Sequence, residues 1–443
     1  MSWKPIYGLL MFGLTISNYF LGLVLSRATE HKKLVLVGTV AFNLLALAVF
    51  KYAYFARDIL AGVMKGIGTD VPPLAVQIIL PLGISFFVFE FIHYASDVYK
   101  GGKPVTSFLD FALFASFFPT QIAGPIKRYQ DFVPQLTNPH PVTMDTIEES
   151  ARLITVGLVK KILFADYLAI AVHSAFEHPE LLSSVDLWLA VYAFAYQIYF
   201  DFSAYTDIAR GSALLFGFTV PPNFNLPYFS SSIADFWRRW HISLSTWLRD
   251  YLFIPLGGSR GGTLFTYRNL LITMVLGGIW HGAAAHFAAW GLYQGALLVA
   301  HREFRALCSR FALLKNITES KVFHYLAIGL TFHAVCIGWV FFRADSVSQA
   351  LAMIAKLLLI PNASTMPAWI LTITSTTEST VFLLLPILLI TILVGQLWAL
   401  YRSQNNAIKP IPNWIQAVSF AFAVTLLIVL SPDFAPKFIY FQF

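Results

Sequence analysis

NFNLPYFSSSIADFWRRWHISLSTWLRDYLFIPLGGSRGG, running from Asn223 to Gly262, is followed closely by GGIWHG, Gly277 to Gly282. The two stretches put His241 and His281 inside a sequence that otherwise reads as membrane. Ionisable groups are costly in hydrocarbon and usually sit there for a function. Here they are set among Trp, Arg, Ser and Gly, a pattern too specific for a plain span. The surrounding stretch Phe218–Arg268 carries Asp235, Arg238, Arg239, Arg249, Asp250, Arg260 and Arg268 among many aromatics. It predicts short helices lying partly in the membrane and buried against protein. Irregular backbone at membrane depth survives only when packed in protein or lining a wet cavity.

Outside these stretches the chain is strongly apolar. Of 443 residues, 57% are hydrophobic and only 12% are charged, and the mean hydropathy is +0.67. A soluble domain is about half apolar and roughly a quarter charged, so the composition predicts an all-α polytopic integral membrane protein. A bilayer core takes roughly 20 apolar residues per helix. Spans are expected near Ile6–Leu25, Leu34–Phe55, Leu74–Tyr94, Phe108–Ala123, Leu153–Phe176 and Leu187–Tyr205. Further spans are expected near Asn269–Ile279, Phe287–Ala300, Phe323–Phe342, Val381–Leu400 and Ile415–Leu430. The pair between Asn269 and Ala300 is short and broken by Gly and His, and reads as a re-entrant or interrupted hairpin. The total is about 10–11 transmembrane or re-entrant helices. Ile6–Leu25 is long enough to be a retained helix rather than a cleaved signal.

The formal net charge is +7. Most Lys and Arg lie between apolar runs, so they set topology and do not point to nucleic acid. The basic loops Pro125–Arg152, Ala209–Arg268, His301–Lys321 and Tyr401–Asn413 are expected on the cytoplasmic side, and Glu177–Asp186 and Ala344–Thr380 outside. The loop Arg27–Lys33 violates this scheme. No internal repeat or linker divides the chain, and a single domain over residues 1–443 is expected. Cys308 and Cys336 read as two free thiols.

Ser232-x-x-Asp235 has the spacing of a capping box that opens a helix. On that helix Asp235 faces Arg238 and Arg239, Phe236 pairs with Trp240, and His241 shares a face with Trp237 and Ser245. The result is a rigid mount for one imidazole, although an interface helix with snorkelling arginines and belt tryptophans fits the same residues. In the second stretch, glycines on both sides of Trp280 and His281 weaken the helix and let another group approach the backbone. Trp280 can wall a tunnel, and His281 sits where the chain is interrupted. An imidazole titrates near a pKa of roughly 6.5 and so can take and return a proton. A structural histidine bonded to a neighbouring helix is the alternative. His286 lacks the glycine framing.

Asp201 and Asp207, in YFDFSAYTDIAR, either orient a histidine or pair with Arg210, the commoner arrangement. Glu90 and His93 share a helix face and suit a polar pair inside a bundle. Gly257–Gly262 lacks the P-loop Lys-Ser/Thr and reads as a flexible turn. The absence of G-x-S-x-G argues against a serine-esterase mechanism. H-E-x-x-H is also missing, and no zinc site is expected.

PLGISFFVF (81–89), SFFPTQIAGPIKRY (116–129), YQIYFDFSAYTDIA (196–209), the Asn223–Gly262 block, GGIWHGAAAHFAAWGLYQG (277–295) and FIYFQF (438–443) resemble the membrane-bound O-acyltransferase family. The resemblance runs from about Trp3 to Phe443. It is closest to the bacterial branch typified by the alginate O-acetyltransferase membrane subunit. It implies a ring of helices around a central funnel or tunnel. An acyl thioester enters from the cytoplasm and meets a hydroxyl acceptor toward the other face. The family's signature histidines correspond to His241 and His281, and the one followed by Gly, His281, is usually the catalytic one.

The implied protein is a multi-pass O-acetyltransferase of the bacterial inner membrane, acting on an exported or cell-surface glycan. His281 would be the general base, and His241 would orient it or bind the donor. Arg238, Arg239 and Lys127 would meet donor phosphates near the cytoplasmic mouth. Trp280, Trp240, Asp201 and Ser245 are further candidates for substrate or donor contact. The donor would be acetyl-CoA or a phosphopantetheine-carrier thioester, the latter used by the D-alanyl-lipoteichoic acid relatives. No cofactor or nucleic-acid partner is expected. A periplasmic or secreted acetyltransferase partner would finish the transfer.

Two departures stand out. Chains of this family usually begin with further apolar segments, and Met1–Pro5 resembles a position already inside that pattern. Either the member is naturally short, or its start lies late and part of the ring is missing. Glu90 and His93 sit where the alginate-type pattern has less polar residues, which marks a sub-branch with another acceptor. A rival reading is a transporter or flippase for a small acyl or glycan compound, supported by Asp201, Glu90 and the broken helices but lacking an inverted repeat. A third is acylation of a lipid or secreted small molecule.

Overall fold

The computed structural model describes residues 6–72, 78–358, 377–404, 413–430 and 438, and every regular element among them is helical. The all-α polytopic membrane architecture expected from composition is the one found. Helices α1 (Ile6–Arg27) and α2 (Lys32–Leu47) are locked by a buried amide pair. Asn18 Nδ2 donates to Asn43 Oδ1 at 3.0 Å, and Asn43 Nδ2 donates back to Asn18 Oδ1 at 2.7 Å. Each amide would be costly alone in an apolar helix pair. Helix α2 continues through a π-helical segment, Ala48–Tyr52, into α3 (Ala53–Lys65).

Two expected spans are corrected. Helix α4 begins only at Ile84, not at Leu74, and ends at Tyr99; residues 74–77 of the expected span lie outside the described residues. Its residues are buried on nearly every side, so it serves as a central post. Helix α5 (Phe108–Ser116) has 9 residues and stops at Phe117, ahead of Pro119. At 1.5 Å per residue it covers roughly half of a hydrocarbon core and cannot span one.

After the short α6 (Tyr129–Thr137), helix α7 (Met144–Val159) runs through a second π segment, Lys160–Ala165, into α8 (Asp166–Glu177). Helix α9 (Ser184–Leu215) is opened by a reciprocal capping box between Ser183 and Asp186. The acids of α9 settle on the second π segment and not on Arg210. Lys160 pairs with Asp207 at 2.5 Å, and Lys161 bridges Asp201 at 2.9 Å and Asp166 at 2.8 Å.

Two 7-residue helices follow, α10 (Ile233–Arg239) and α11 (Ile242–Leu248), then a third π segment, Arg249–Phe253. The glycine-rich turn has positive φ at Gly257, Gly258, Gly261 and Gly262. The expected broken hairpin is in fact two continuous helices, α12 (Thr263–His281) and α13 (Ala285–Arg310). Gly277 and Gly278 thin the helix and do not break it; the interruption falls directly after His281, where Gly282 is extended. A Cβ on Gly278 would stand 2.2 Å from the Phe287 carbonyl oxygen, and one on Gly291 2.3 Å from that of Met274. Small residues thus let the two backbones touch, the usual device for close packing in membranes.

The fold closes with α14 (Ala312–Thr318), α15 (Lys321–Arg343), α16 (Val347–Leu358), α17 (Thr377–Gln404) and α18 (Asn413–Val429). By length and composition, Ile6–Arg27, Lys32–Lys65, Lys321–Arg343 and Leu385–Gln404 qualify to cross a membrane. Cys308 and Cys336 are free and buried. Met1–Pro5 and, apart from Phe438, the terminal FIYFQF lie outside the described residues. Phe438 stacks on Tyr205 at 5.3 Å.

The clash at Gly278 is with backbone, so no rotamer change relieves it. Gly278→Ala is expected to lower stability by about 1–3 kcal/mol, read as a lower midpoint of thermal unfolding in detergent. Gly329→Ala, where a Cβ meets nothing within 4 Å, should not lower the midpoint. Equal midpoints for the two variants would refute the close approach of α12 and α13.

Candidate active site

His241 is not on a continuous helix with Trp237 and Ser245, as spacing suggested. It is the corner between α10 and α11, with φ 43° and ψ 55°. An L-residue in this left-handed region costs roughly 1–2 kcal/mol and persists where its surroundings over-determine it. Those surroundings centre on the buried Asn223. Its backbone carbonyl accepts from Ile242 N at 3.0 Å. Its side-chain Oδ1 accepts from Ser243 N at 3.1 Å and from Ser243 Oγ at 2.7 Å. Asn223 therefore satisfies the first amides of α11, which a helix cannot satisfy itself. Nearby, Asn225 N donates to Arg239 O at 3.0 Å, and Ser245 Oγ donates to Trp240 O at 3.1 Å. Ser245 thus braces the corner.

At the start of α10, Ser232 Oγ accepts from Asp235 N at 3.2 Å, as the spacing predicted. The Asp235 carboxylate does not return to the cap. It pairs with Arg239 at 2.9 Å and Arg238 at 3.6 Å. Arg238 is largely exposed and Arg239 partly so.

His281 is the last residue of α12. Helix ends leave carbonyls without intrahelical partners, and here those carbonyls are met from the first π segment. Lys51 Nζ donates to Trp280 O at 2.5 Å and to His281 O at 3.0 Å. Tyr52 OH donates to Ile279 O at 2.8 Å. A cation at a helix C-terminus also meets the negative end of the macrodipole, worth up to about 2 kcal/mol when partly buried.

Around this end the aromatic rings form a chamber. The His281 ring is 4.9 Å from that of Trp280, 5.2 Å from Trp290 and 5.2 Å from Phe342, all nearly perpendicular. The Trp280 ring also lies 6.5 Å from His241, so it touches both imidazoles. Trp280 in turn stacks on Phe89 at 4.9 Å, and Phe89 on Trp247 at 4.0 Å. His281 therefore sits on the seam between two aromatic clusters, one holding Trp280 and the other Trp290. Among the described residues, the indole N–H groups of Trp280 and Trp290 meet no acceptor.

The structure brings together His241, Trp280 and His281, but not the remaining candidates. Lys127 does not stand at a mouth. It is buried and its ammonium lies 2.6 Å from the equally buried Glu90 carboxylate. Leaving either charge unpaired in the interior would be strongly unfavourable. Glu90 and His93 accordingly do not pair with each other, since His93 Nε2 accepts from Tyr129 N at 3.4 Å. Asp201 is engaged with Lys161. Trp240 stacks on Phe236 at 5.6 Å and lies 5.0 Å from Trp339, inside the core. His286 Nδ1 bonds the Phe341 carbonyl at 3.0 Å.

Sequence reasoning missed Lys51, Tyr52, Asn223, Trp290 and Phe342. One signal was present, because Lys51 is the one charged residue in the apolar run Leu34–Phe55.

Residues 99–329, which contain both histidines, match the membrane-bound O-acyltransferase family. The chain belongs to that family. It is 44% identical over 357 residues to a probable alginate O-acetylase of Pseudomonas aeruginosa, covering 79% of this chain and 66% of that protein. It is 42% identical over 355 residues to a probable alginate O-acetylase of Pseudomonas syringae pv. tomato, covering 79% and 65%. With the peptidoglycan O-acetyltransferase of Helicobacter pylori it shares 35% identity over 381 residues, covering 80% and 70%. The chain thus spans about two thirds of the length of these curated relatives.

Removing the Asn223 side chain leaves Ser243 N without its acceptor in the interior. Asn223→Ala is expected to cost about 1–3 kcal/mol, measured by thermal unfolding in detergent. Asn223→Asp keeps the acceptor oxygen and should recover part of the loss. An unchanged midpoint in Asn223→Ala would show that the His241 corner is held by other groups.

Proposed function

We propose that this chain is a membrane O-acyltransferase, most simply an O-acetyltransferase, acting on hydroxyls of an exported or cell-surface glycan. The observation that carries the reading is His281, buried at a tethered helix end within an aromatic chamber. Membership in the acyltransferase family supports it, as do relatives named for acetyl transfer to two different glycans.

In the proposed reaction, an imidazole nitrogen of His281 takes the proton of the acceptor hydroxyl. The hydroxyl oxygen bonds to the thioester carbonyl carbon, whose oxygen gains negative charge. The carbon–sulfur bond then breaks and the proton passes from His281 to the departing sulfur. The products are an ester and a thiol. Charge developing on the carbonyl oxygen needs donors placed in advance. The indole N–H groups of Trp280 and Trp290 border His281 and have no acceptor among the described residues, so they are assigned that role. His241 orients the donor or His281 from its fixed corner.

The donor is acetyl-CoA or a thioester on a phosphopantetheine carrier, delivered from the cytoplasm. Exposed Arg238 and half-buried Arg239 remain the candidates for donor phosphates, without Lys127. The bacterial inner membrane is the proposed location, and a periplasmic or secreted acetyltransferase is the proposed partner.

The test uses inside-out vesicles and acetyl-CoA labelled in the acetyl group. The wild-type protein should release thiol and leave label in glycan or protein. His281→Ala, at equal membrane level, should reduce transfer by roughly 10²–10⁴-fold. Trp290→Phe keeps a ring but lacks the N–H, and should lower kcat by about 10²-fold. Full activity in His281→Ala would remove it from the mechanism. Transport of an intact substrate without thioester turnover would favour a transporter instead.

A further inference from the structure

Lys51 and Tyr52 lie at least 227 residues in sequence from the final carbonyls of α12, yet both end on them. They are adjacent residues, and on a regular α-helix adjacent side chains diverge by about 100°. The π segment Ala48–Tyr52 widens the turn, and the two residues reach one target. Such bulges are frequent at functional sites. The three acceptors are consecutive, the carbonyls of Ile279, Trp280 and His281. Lys51 Nζ also lies 5.7 Å from the centre of the Trp280 ring. One ammonium group therefore fixes the backbone of the proposed base and stands over the ring that contacts both imidazoles.

A cap needed only for stability could stand on any helix end. Here the fixed residue is the one whose imidazole must meet the reacting atoms. The chain after His281 turns at once into extended backbone at Gly282, with φ −159° and ψ 151°, so the helix beyond offers His281 no further support. The rings of Trp280, Trp290 and Phe342 lie edge-to-face against the imidazole, and such contacts constrain tilt more than height along the helix axis.

We propose that Lys51, seconded by Tyr52, is a positioning residue for acyl transfer. Its ammonium ties the C-terminal carbonyls of α12 and so sets the height and direction of the His281 imidazole in the chamber. This rests on the reading of His281 as the base. Lys51 itself touches no reacting atom in this account.

The experiment measures kcat and KM for thioester turnover in vesicles, with the amount of folded protein in each sample determined by fluorescence-detected gel filtration. Lys51→Met should lower kcat by about 10- to 100-fold, the scale on which small misplacements act, with KM for acetyl-CoA within about twofold of wild type. Lys51→Arg, which keeps the charge and donors, should recover most of the lost kcat. Tyr52→Phe should cause a smaller loss of the same kind. Should Lys51→Met fail to accumulate in the membrane, Lys51→Gln, which can still donate to one carbonyl, takes its place with the same expectation against Lys51→Arg. Wild-type kcat in Lys51→Met or Lys51→Gln overturns the proposal, as does a loss confined to folded yield. His281→Ala is run in parallel. If it stays active, the assignment of the base has failed. If it is inactive while the Lys51 variants turn over normally, only the positioning role has failed.

Discussion

The last carbonyls of α12 have no helical donors left to meet them, and a single lysine with its neighbouring tyrosine supplies those donors. The rest of the site depends on that arrangement. Because the end is capped from another helix, α12 can stop at His281 and still be buried. Because it stops there, the imidazole lies among the rings of Trp280, Trp290 and Phe342, where the Trp280 and Trp290 clusters meet. The close contact of α12 with α13 through Gly278 and Gly291 holds the same end from a second direction. The constraint is electrostatic and steric at once, which suits a group that must hold one geometry.

The three π segments share a physical theme. Each lies within or at the end of a helix and carries charged residues facing a neighbour. Lys51 reaches α12, Lys160 and Lys161 reach the acids of α9, and Asp250 reaches Arg128 at 2.7 Å. A widened turn lets consecutive or nearby polar side chains converge on one partner. In a chain with so few charges, such turns place partly buried ion pairs as joints between elements. The buried Lys127–Glu90 pair adds one more joint, and accounts for a lysine that sequence reasoning had sent to the donor.

Much of this was legible in sequence and some was not. Composition and apolar run length were enough for an all-helical membrane protein, because burying backbone in lipid leaves few other solutions. His241, Trp280 and His281 stood out because polar groups in apolar surroundings are costly, and the structure does gather them. The cap at Ser232 and the Asp235–Arg239 pair followed from spacing alone. The break between Trp240 and His241 did not, since Asn223, which forces it, acts from 18 or more residues upstream. Glycines at Gly277 and Gly278 suggested a broken helix, whereas their role is to admit the backbone of α13. Lys51 and Lys127 show the same limit in two forms. A lysine in an apolar run announces that it has a partner, but only the fold says which.

The most direct measurement of the central claim is a cryo-electron microscopy structure with a non-hydrolysable thioether analogue of acetyl-CoA. The account predicts the reacting carbonyl in the chamber bounded by Trp280, Trp290 and Phe342, within about 3–3.5 Å of the position an attacking hydroxyl takes beside the His281 imidazole, with the Lys51 contacts to α12 intact. An analogue bound with its carbonyl outside that chamber, or an α12 end released from Lys51 in the bound state, would contradict it.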